Sequence, residues 1–223
     1  MSNGNRRLLQ TDNVFLYIPN IIGYTRIILA SASLYYMPWH PKVCTILYCI
    51  SCLLDAVDGN AARYFDQCSK FGAVLDMVTD RSTTTCLLCF LSLKYPAWTI
   101  LFQFLISLDF SSHYMHMYSS MTEGSSSHKK ISQSSNRFLQ LYYNSNVVLF
   151  IMCAGNELFF VALYVFKFFQ GPINAAWWVV FAVSGVICFL KQFINVIQIV
   201  NASRVLATID KEERAKALNA KKE

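Results

Sequence analysis

The chain has 223 residues, of which 55% are hydrophobic and only 14% are charged, and its formal net charge is +6 at pH 7. A soluble domain of this length normally carries about 25% charged residues. The composition therefore excludes an ordinary soluble protein and is typical of an integral membrane protein. The basic residues cluster at the ends and in loops, which fits membrane orientation and anionic lipid better than nucleic acid.

The N-terminal part of the chain is polar over residues 1–11. Asp12 or Asn13 is a suitable N-cap for a short helix over residues 14–18, which would end near Pro19. We expect this segment to be an amphipathic helix that lies on the membrane surface.

Six apolar runs follow, and each is close to the roughly 20 residues that a helix needs to cross a bilayer. Helices satisfy their own backbone hydrogen bonds in lipid, so these runs predict an all-α integral membrane protein with a bundle of six transmembrane helices. We expect one domain over residues 1–223, with a charged C-terminal tail over 205–223. The runs cover approximately residues 20–37, 43–63, 69–93, 97–121, 144–168 and 175–200.

The basic residues are distributed unequally between the two sides of this predicted bundle. Most of them lie on the side that carries both termini and the loop between the second and third runs. The opposite side carries only Lys42, Lys94 and Lys167. Because cytosolic loops are enriched in Lys and Arg, both termini and that loop are predicted to face the cytosol.

Four aspartates lie on either side of the loop between the second and third runs. Asp55 and Asp58 are spaced i, i+3, and Asp76 and Asp80 are spaced i, i+4, so each pair lies on one face of a helix. Asp58 and Asp76 each lie nine residues from Gln67, and Asp55 and Asp80 lie twelve residues before it and thirteen after it. A helical hairpin that turns about Gln67 therefore brings Asp58 level with Asp76 and Asp55 level with Asp80. Four carboxylates at one point repel each other and need cations, and hard oxygen ligands suit two Mg²⁺ or Mn²⁺ ions.

Small residues and arginines surround these aspartates. Gly59 and Gly72 remove side-chain bulk, which lets helices approach closely or lets a bulky ligand lie against the backbone. Arg63 carries a fixed charge on a planar fork that suits phosphate. Arg81 directly follows Asp80 but points about 100° away from it on a helix, so we expect it to balance charge elsewhere. The segment therefore predicts a metal and phosphate site in a helix hairpin.

The hairpin segment resembles the complete signature of the CDP-alcohol phosphatidyltransferases, with every fixed position filled: Asp55-x2-Asp58-Gly59-x2-Ala62-Arg63-x8-Gly72-x3-Asp76-x3-Asp80. The resemblance implies that the four aspartates hold two divalent ions and that Asp80 is the general base. It also implies a homodimer. The residues implied to contact CDP-diacylglycerol in this segment are Gly59, Arg63, Ser69 and Gly72, and Ser69 is also a plausible N-cap for the third run.

The first run resembles the corresponding run of eukaryotic phosphatidylinositol synthases, a branch of the same family, in the stretch IPNIIGYTRI. The resemblance places Asn20 near the metal and pyrophosphate, and Arg26 near a phosphate or an aspartate. Both would therefore contribute to CDP-diacylglycerol binding. The alternative for Arg26 is that its side chain only reaches the membrane interface.

The fourth run carries a polar stripe at helical spacing, formed by Asp109, Ser112, His113, His116 and Ser119. A stripe this regular favours a wet cavity over simple packing, and zinc binding by the two histidines lacks a clear third ligand. The stripe and the following stretch GSSSHKKISQSSNRFLQLYY resemble the same synthases. The implied inositol contacts are Asp109, His113, His116, Lys129 and Arg137. A solvated basic loop near anionic headgroups is the alternative for the loop residues.

The resemblance implies a complete reaction, in which CDP-diacylglycerol and myo-inositol give phosphatidylinositol and CMP by direct attack of the inositol hydroxyl. One alternative keeps this chemistry and changes the acceptor to inositol phosphate, serine or glycerol phosphate. A second alternative is a divalent-cation transporter that uses the acidic ring, although the chain shows no internal repeat. The expected location is the endoplasmic reticulum, with the active site facing the cytosol and with membrane lipid, not nucleic acid, as a partner.

Overall fold

The computed structural model describes residues 13–122, 137–169 and 175–221. Within these ranges the chain forms helices and turns and contains no strand. It divides into two compact units, of which the first comprises Met1–Thr99 with Phe160–Gly171 and the second comprises Ile100–Phe159 with Pro172–Glu223.

The first unit is built mainly from three long helices: α1 (Ile18–Tyr36), α2 (Pro41–Tyr64) and α3 (Lys70–Lys94). A 3₁₀ turn precedes α1 at Val14–Leu16, and another follows α3 at Pro96–Trp98. Proline stands in the first turn of both α1 and α2, where its fixed φ favours a helix and its missing N–H is not needed.

Helix α1 packs against both α2 and α3. Two buried serines join α1 to α2, because Ser33 Oγ donates to the Cys44 carbonyl (3.0 Å) and Ser51 Oγ donates to the Arg26 carbonyl (3.1 Å). Gly23 allows close contact with α3, since a Cβ atom there would lie 3.0 Å from Leu75 Cδ2. The three helices therefore hold one another at short distance around the middle of α1.

The turn between α2 and α3 centres on Gln67, as the hairpin prediction requires. Asp66 has a φ of 54°, in the left-handed region that Asp and Asn tolerate better than most residues. Gln67 is 4% exposed, and its Oε1 accepts a hydrogen bond from the Ile18 N–H (2.9 Å). The turn thus satisfies one of the free N–H groups at the start of α1.

The second unit contains most of α4 (Thr99–Thr122), α5 (Arg137–Asn144), the first part of α6 (Asn146–Phe168) and α7 (Ala175–Ala220). A small apolar core joins α5 to α7 through Leu139, Tyr142 and Ile194. Helix α7 has 46 residues and continues to Ala220, so most of the charged tail over 205–223 extends a helix.

Among the described residues, three helices are long and apolar enough to cross a membrane, namely Pro41–Tyr64, Asn146–Phe168 and Ala175–Ala220. The other three expected spans coincide with α1, α3 and α4, which contain 19, 25 and 24 residues. The N-terminal amphipathic helix over 14–18 is not confirmed. Residues 14–16 form the 3₁₀ turn, which Asn13 caps because its Oδ1 accepts a hydrogen bond from the Phe15 N–H (3.0 Å), and Ile18 is the first residue of α1.

Candidate metal and substrate site

The four aspartates of the hairpin surround the guanidinium group of Arg26 from α1. Arg26 Nη1 lies 2.7 Å from Asp58 Oδ2 and 3.0 Å from Asp76 Oδ1. Arg26 Nη2 lies 3.0 Å from Asp55 Oδ1 and also donates to Asp80 Oδ1. Each terminal nitrogen therefore bridges one aspartate of α2 and one of α3. Asp58 is joined to Asp76, and Asp55 to Asp80, as expected from their distances from Gln67 along the chain.

The aspartate cluster is closed at one end and open at the other. The side chains of Asp58 and Asp76 are 9% and 17% exposed, whereas those of Asp55 and Asp80 are 37% and 30% exposed. A ligand can therefore reach the cluster from the end formed by Asp55 and Asp80.

The carboxylates fit a divalent metal ion. One oxygen atom from each of Asp55, Asp76 and Asp80 lies within 4.8 Å of the others. Asp55 Oδ1 is buried and accepts no hydrogen bond, although Arg26 Nη2 lies 3.0 Å away. Such an oxygen atom has capacity left for a metal ion. A donor set made only of carboxylates is the set that hard cations such as Mg²⁺ and Mn²⁺ prefer.

Asn20, Ser69 and Gly72 meet at the start of α3. Ser69 is confirmed as the N-cap of α3, since the Gly72 N–H donates to Ser69 Oγ (3.0 Å). Asn20 is 2% exposed, and its Nδ2 donates to the Val14 carbonyl (2.6 Å). A Cβ atom on Gly72 would lie only 2.7 Å from Asn20 Oδ1, so this glycine is required for the close approach of α1 to the start of α3.

Gly59 and Arg63 lie one turn apart on α2. A Cβ atom on Gly59 would meet only Arg63, with the nearest atom at 3.8 Å, which is an ordinary contact distance. Arg63 is exposed, and its Nη2 donates to Asn60 Oδ1 (2.8 Å). Unlike Gly72, Gly59 is therefore not needed for the packing of the described residues.

The prediction that Arg81 points away from Asp80 was wrong. Arg81 Nη2 lies 3.6 Å from Asp80 Oδ2. The helical angle between adjacent Cα atoms does not exclude this contact, because the arginine side chain is long enough to fold back along the helix surface.

The second group of expected site residues lies in the second unit. Asp109 and His116 are buried, at 8% and 4% exposure. His113 Nδ1 donates to the Asp109 carbonyl (2.7 Å) and lies 3.5 Å from Asp109 Oδ1. His116 stacks on the Tyr143 ring with 5.0 Å between the ring centroids.

Helix α7 adds polar partners to this stripe that the sequence did not indicate as site residues. Asn195 Nδ2 donates to Asp109 Oδ1 (3.3 Å), and Lys191 Nζ donates to Asn195 Oδ1 (2.6 Å). Gln198 Nε2 donates to the hydroxyl oxygen of Tyr143, whereas Gln198 Oε1 is buried without a hydrogen-bond donor. The signal was available in the spacing, because 191, 195 and 198 follow helical steps along one face.

The structure does not test two of the expected inositol contacts. Lys129 lies outside the described residues, and Arg137 is the first residue of α5. Their predicted roles stay predictions.

Two residues that position the aspartate cluster were missed from the sequence. Gln67 was predicted only as the centre of the turn, but it also binds the start of α1. Ser51 fixes the backbone of Arg26 and precedes Asp55 by one helical turn. A polar residue at that spacing within an apolar run was the available signal.

Comparisons with known proteins indicate the family of the chain. The family model of the CDP-alcohol phosphatidyltransferases matches residues 16–205. Relatives named CDP-diacylglycerol–inositol 3-phosphatidyltransferase include one from Schizosaccharomyces pombe, 50% identical over 92% of this chain and 94% of the relative. The human relative of that name is 47% identical over 92% and 98%, and the Saccharomyces cerevisiae one is 46% identical over 94% of each. No solved structure matches the chain.

The chain belongs to the CDP-alcohol phosphatidyltransferase family, because the family model covers most of it and the relatives align along nearly its whole length. Its apolar helices are those of an integral membrane protein.

Proposed function

We propose that the protein transfers the phosphatidyl group from CDP-diacylglycerol to myo-inositol, giving phosphatidylinositol and CMP. The observation that carries the proposal is the gathering of all four signature aspartates around one point in the α2–α3 hairpin. The similarity to relatives named for this reaction supports inositol as the acceptor.

Asp55, Asp58, Asp76 and Asp80 would hold two Mg²⁺ or Mn²⁺ ions in this proposal. Ions bound there would supply neutralisation of the diphosphate charge and polarisation of the phosphorus atom. The ions would enter from the end where Asp55 and Asp80 are exposed. Phosphoryl transfer needs little covalent work from a protein, so positioning and charge account for most of the catalysis.

Asp80 is the proposed general base for the inositol hydroxyl. Its Oδ1 is occupied by Arg26, while its Oδ2 lies 3.6 Å from Arg81 at the open end of the cluster. Asp80 Oδ2 would therefore receive the proton as the hydroxyl oxygen attacks phosphorus and CMP departs. We expect direct attack, without a phosphorylated enzyme intermediate.

CDP-diacylglycerol would lie along the surface formed by the starts of α1 and α3 and the end of α2. Asn20 and Ser69 offer polar atoms beside Gly72, and Gly59 leaves open space beside the Arg63 guanidinium. In this placement Arg63 neutralises a phosphate, and the missing side chain of Gly59 makes room for the nucleotide. Arg26 contacts the aspartates, so its contribution to CDP-diacylglycerol binding would be made through them.

The acceptor is proposed to bind at the polar stripe of α4, with Asp109, His113 and His116 as contacts and with Lys129 and Arg137 contributing from the residues that follow α4. The observation that favours a polyhydroxylated acceptor is the mixture of carboxylate, amide and ring nitrogen groups on α4 and α7. The unpaired acceptor atom Gln198 Oε1 is suited to receive a hydroxyl hydrogen.

The membrane arrangement is also part of the proposal. We infer that α1, α3 and α4 cross the bilayer together with the three more apolar helices, which gives six spans. The basic residues near the termini and the α2–α3 turn support a cytosolic orientation of the aspartate cluster. The family resemblance supports the further proposals of a location in the endoplasmic reticulum and of a homodimer.

The experiment that tests the proposal is CMP release by purified protein in detergent with CDP-diacylglycerol and Mg²⁺ or Mn²⁺. Myo-inositol, inositol 1-phosphate, serine and glycerol 3-phosphate are offered in parallel. Release that depends on myo-inositol alone is the expected result. Release with another acceptor would refute the proposal that the α4 stripe binds myo-inositol. The absence of release with all four acceptors would refute the proposed chemistry.

A further inference from the structure

We propose that Arg26 is the internal counter-cation of the aspartate cluster: it holds the four carboxylates together when no metal is bound, and it weakens the binding of metal ions to them. The inference rests on the proposed metal site, because it concerns how that site gains and loses its ions.

The first argument is the geometry of the guanidinium group. One terminal nitrogen joins Asp58 to Asp76, and the other joins Asp55 to Asp80. Arg26 therefore bridges α2 and α3 at both depths of the hairpin. These contacts offset the mutual repulsion of carboxylates that would otherwise separate the two helices.

The second argument is that the position of Arg26 is fixed by packing. The residue is 2% exposed, and Ser51 Oγ holds its carbonyl oxygen at 3.1 Å. One turn earlier, Gly23 allows α1 to approach Leu75 of α3. An arginine in a protein stays protonated, so this site carries a permanent positive charge that cannot leave by losing a proton.

The third argument is competition for the same oxygen atoms. Arg26 contacts one oxygen of every aspartate, which is Oδ2 in Asp58 and Oδ1 in the other three. A metal ion that uses any of these atoms must share it with the guanidinium or displace the guanidinium. In addition, a unit positive charge a few ångströms away repels each arriving divalent ion. Both effects lower the metal affinity, and both allow bound ions to exchange.

The test compares wild-type protein with Arg26→Met in detergent, and uses Mn²⁺ alone as the probe. Mn²⁺ binding is measured from the electron paramagnetic resonance signal of the free ion, and the thermal midpoint is measured in EDTA and in saturating Mn²⁺. Arg26→Met should bind Mn²⁺ at least about tenfold more tightly than wild type. In EDTA its thermal midpoint should be lower than that of wild type, and saturating Mn²⁺ should raise its midpoint by more than it raises that of wild type.

Two further variants serve as controls, one for the charge of the side chain and one for the loss of an arginine elsewhere in the chain. Arg26→Lys keeps the charge with fewer donors, so its Mn²⁺ affinity should lie between those of wild type and Arg26→Met, and its midpoint in EDTA should fall. Arg204→Met removes an arginine from the exposed part of α7 and should change neither quantity.

Each result decides between defined alternatives. Folded Arg26→Met that binds Mn²⁺ no more tightly than wild type would overturn the role of Arg26 and leave the metal site intact. Absence of Mn²⁺ binding in both proteins would instead refute the metal site. If Arg26→Met folds only when it is purified with Mn²⁺, the ion has replaced the guanidinium as proposed; if it folds in neither buffer, the proposal fails.

Discussion

The two glycines of the family signature are expected to respond in opposite ways to replacement by alanine. In Gly72→Ala, the new Cβ atom would lie 2.7 Å from Asn20 Oδ1 and 3.1 Å from Ser69 Oγ. An ordinary contact begins near 3.4 Å, so the Asn20 oxygen must move by about 0.7 Å. Asn20 has little freedom to do so, because it is 2% exposed and its Nδ2 is bound to the Val14 carbonyl.

The free energy of unfolding of Gly72→Ala should fall by about 1–3 kcal/mol, the usual range for overpacking a well-packed site. The higher helix propensity of alanine, worth up to about 1 kcal/mol, offsets part of this loss. At roughly 2–4 °C per kcal/mol for a chain of this size, a net loss of about 1–3 kcal/mol should lower the thermal midpoint by about 2–12 °C. Differential scanning fluorimetry of the purified proteins in EDTA measures this change without substrate.

Gly59→Ala is the matched control. Its Cβ atom would have its nearest neighbour at 3.8 Å, so the thermal midpoint should be unchanged or slightly raised. CMP release should nevertheless fall by at least about tenfold if the nucleotide lies against Gly59, since a clash of about 1.4 kcal/mol is sufficient for that factor. The reasoning is refuted if Gly72→Ala melts at or above the wild-type temperature, or if Gly59→Ala destabilises the protein as much as Gly72→Ala.

Three further predictions concern the residues that support the two groups of polar side chains. Ser69→Ala should lower the free energy of unfolding by about 1 kcal/mol and Ser69→Asp should restore it, because either a hydroxyl or a carboxylate can cap α3; equal midpoints for Ser69→Ala and wild type would contradict this. Gln67→Ala should lower the free energy of unfolding by about 1–3 kcal/mol, because the Ile18 N–H loses its acceptor. Gln67→Glu retains an acceptor oxygen, so thermal melting should show a smaller loss of stability for this variant, and equal losses for the two variants would show that the acceptor is unimportant. Asn195→Ala should raise the KM for myo-inositol and leave the KM for CDP-diacylglycerol unchanged, because Asn195 donates a hydrogen bond to Asp109. Ser203→Ala, on an exposed face of α7, is the control, and a change in the KM for CDP-diacylglycerol alone would contradict the placement of the inositol site at the α4 stripe.

The hairpin and its aspartate pairs could be predicted from the sequence because their geometry is local. Helical spacing sets the face on which each pair lies, and the residue count from Gln67 sets the depth. The structure confirms the pairing of Asp58 with Asp76 and of Asp55 with Asp80 around a single guanidinium group. The cap at Ser69 was predictable for the same reason, since its partner is three residues away.

The contacts that the sequence could not specify depend on how helices pack over long separations. Arg26 reaches aspartates 32, 50 and 54 positions away, so either a phosphate or an aspartate remained possible as its partner. Gln67 binds Ile18 across 49 positions, and an isolated glutamine in a turn gives no sign of such a partner. The polar face of α7 was not assigned because its acceptors lie on α4 and α5.

The central claim is that the aspartate cluster of the hairpin performs transfer to inositol. It is tested most directly by incorporation of labelled myo-inositol into lipid by purified wild-type protein, Asp80→Asn and Asp66→Asn, with CDP-diacylglycerol and Mn²⁺. Asp66 lies in the turn with φ 54°, a conformation that asparagine also tolerates, so Asp66→Asn is a matched control for the loss of one carboxylate. The account predicts labelled phosphatidylinositol from wild type and Asp66→Asn, and none from folded Asp80→Asn. Incorporation by Asp80→Asn at the wild-type rate would contradict it.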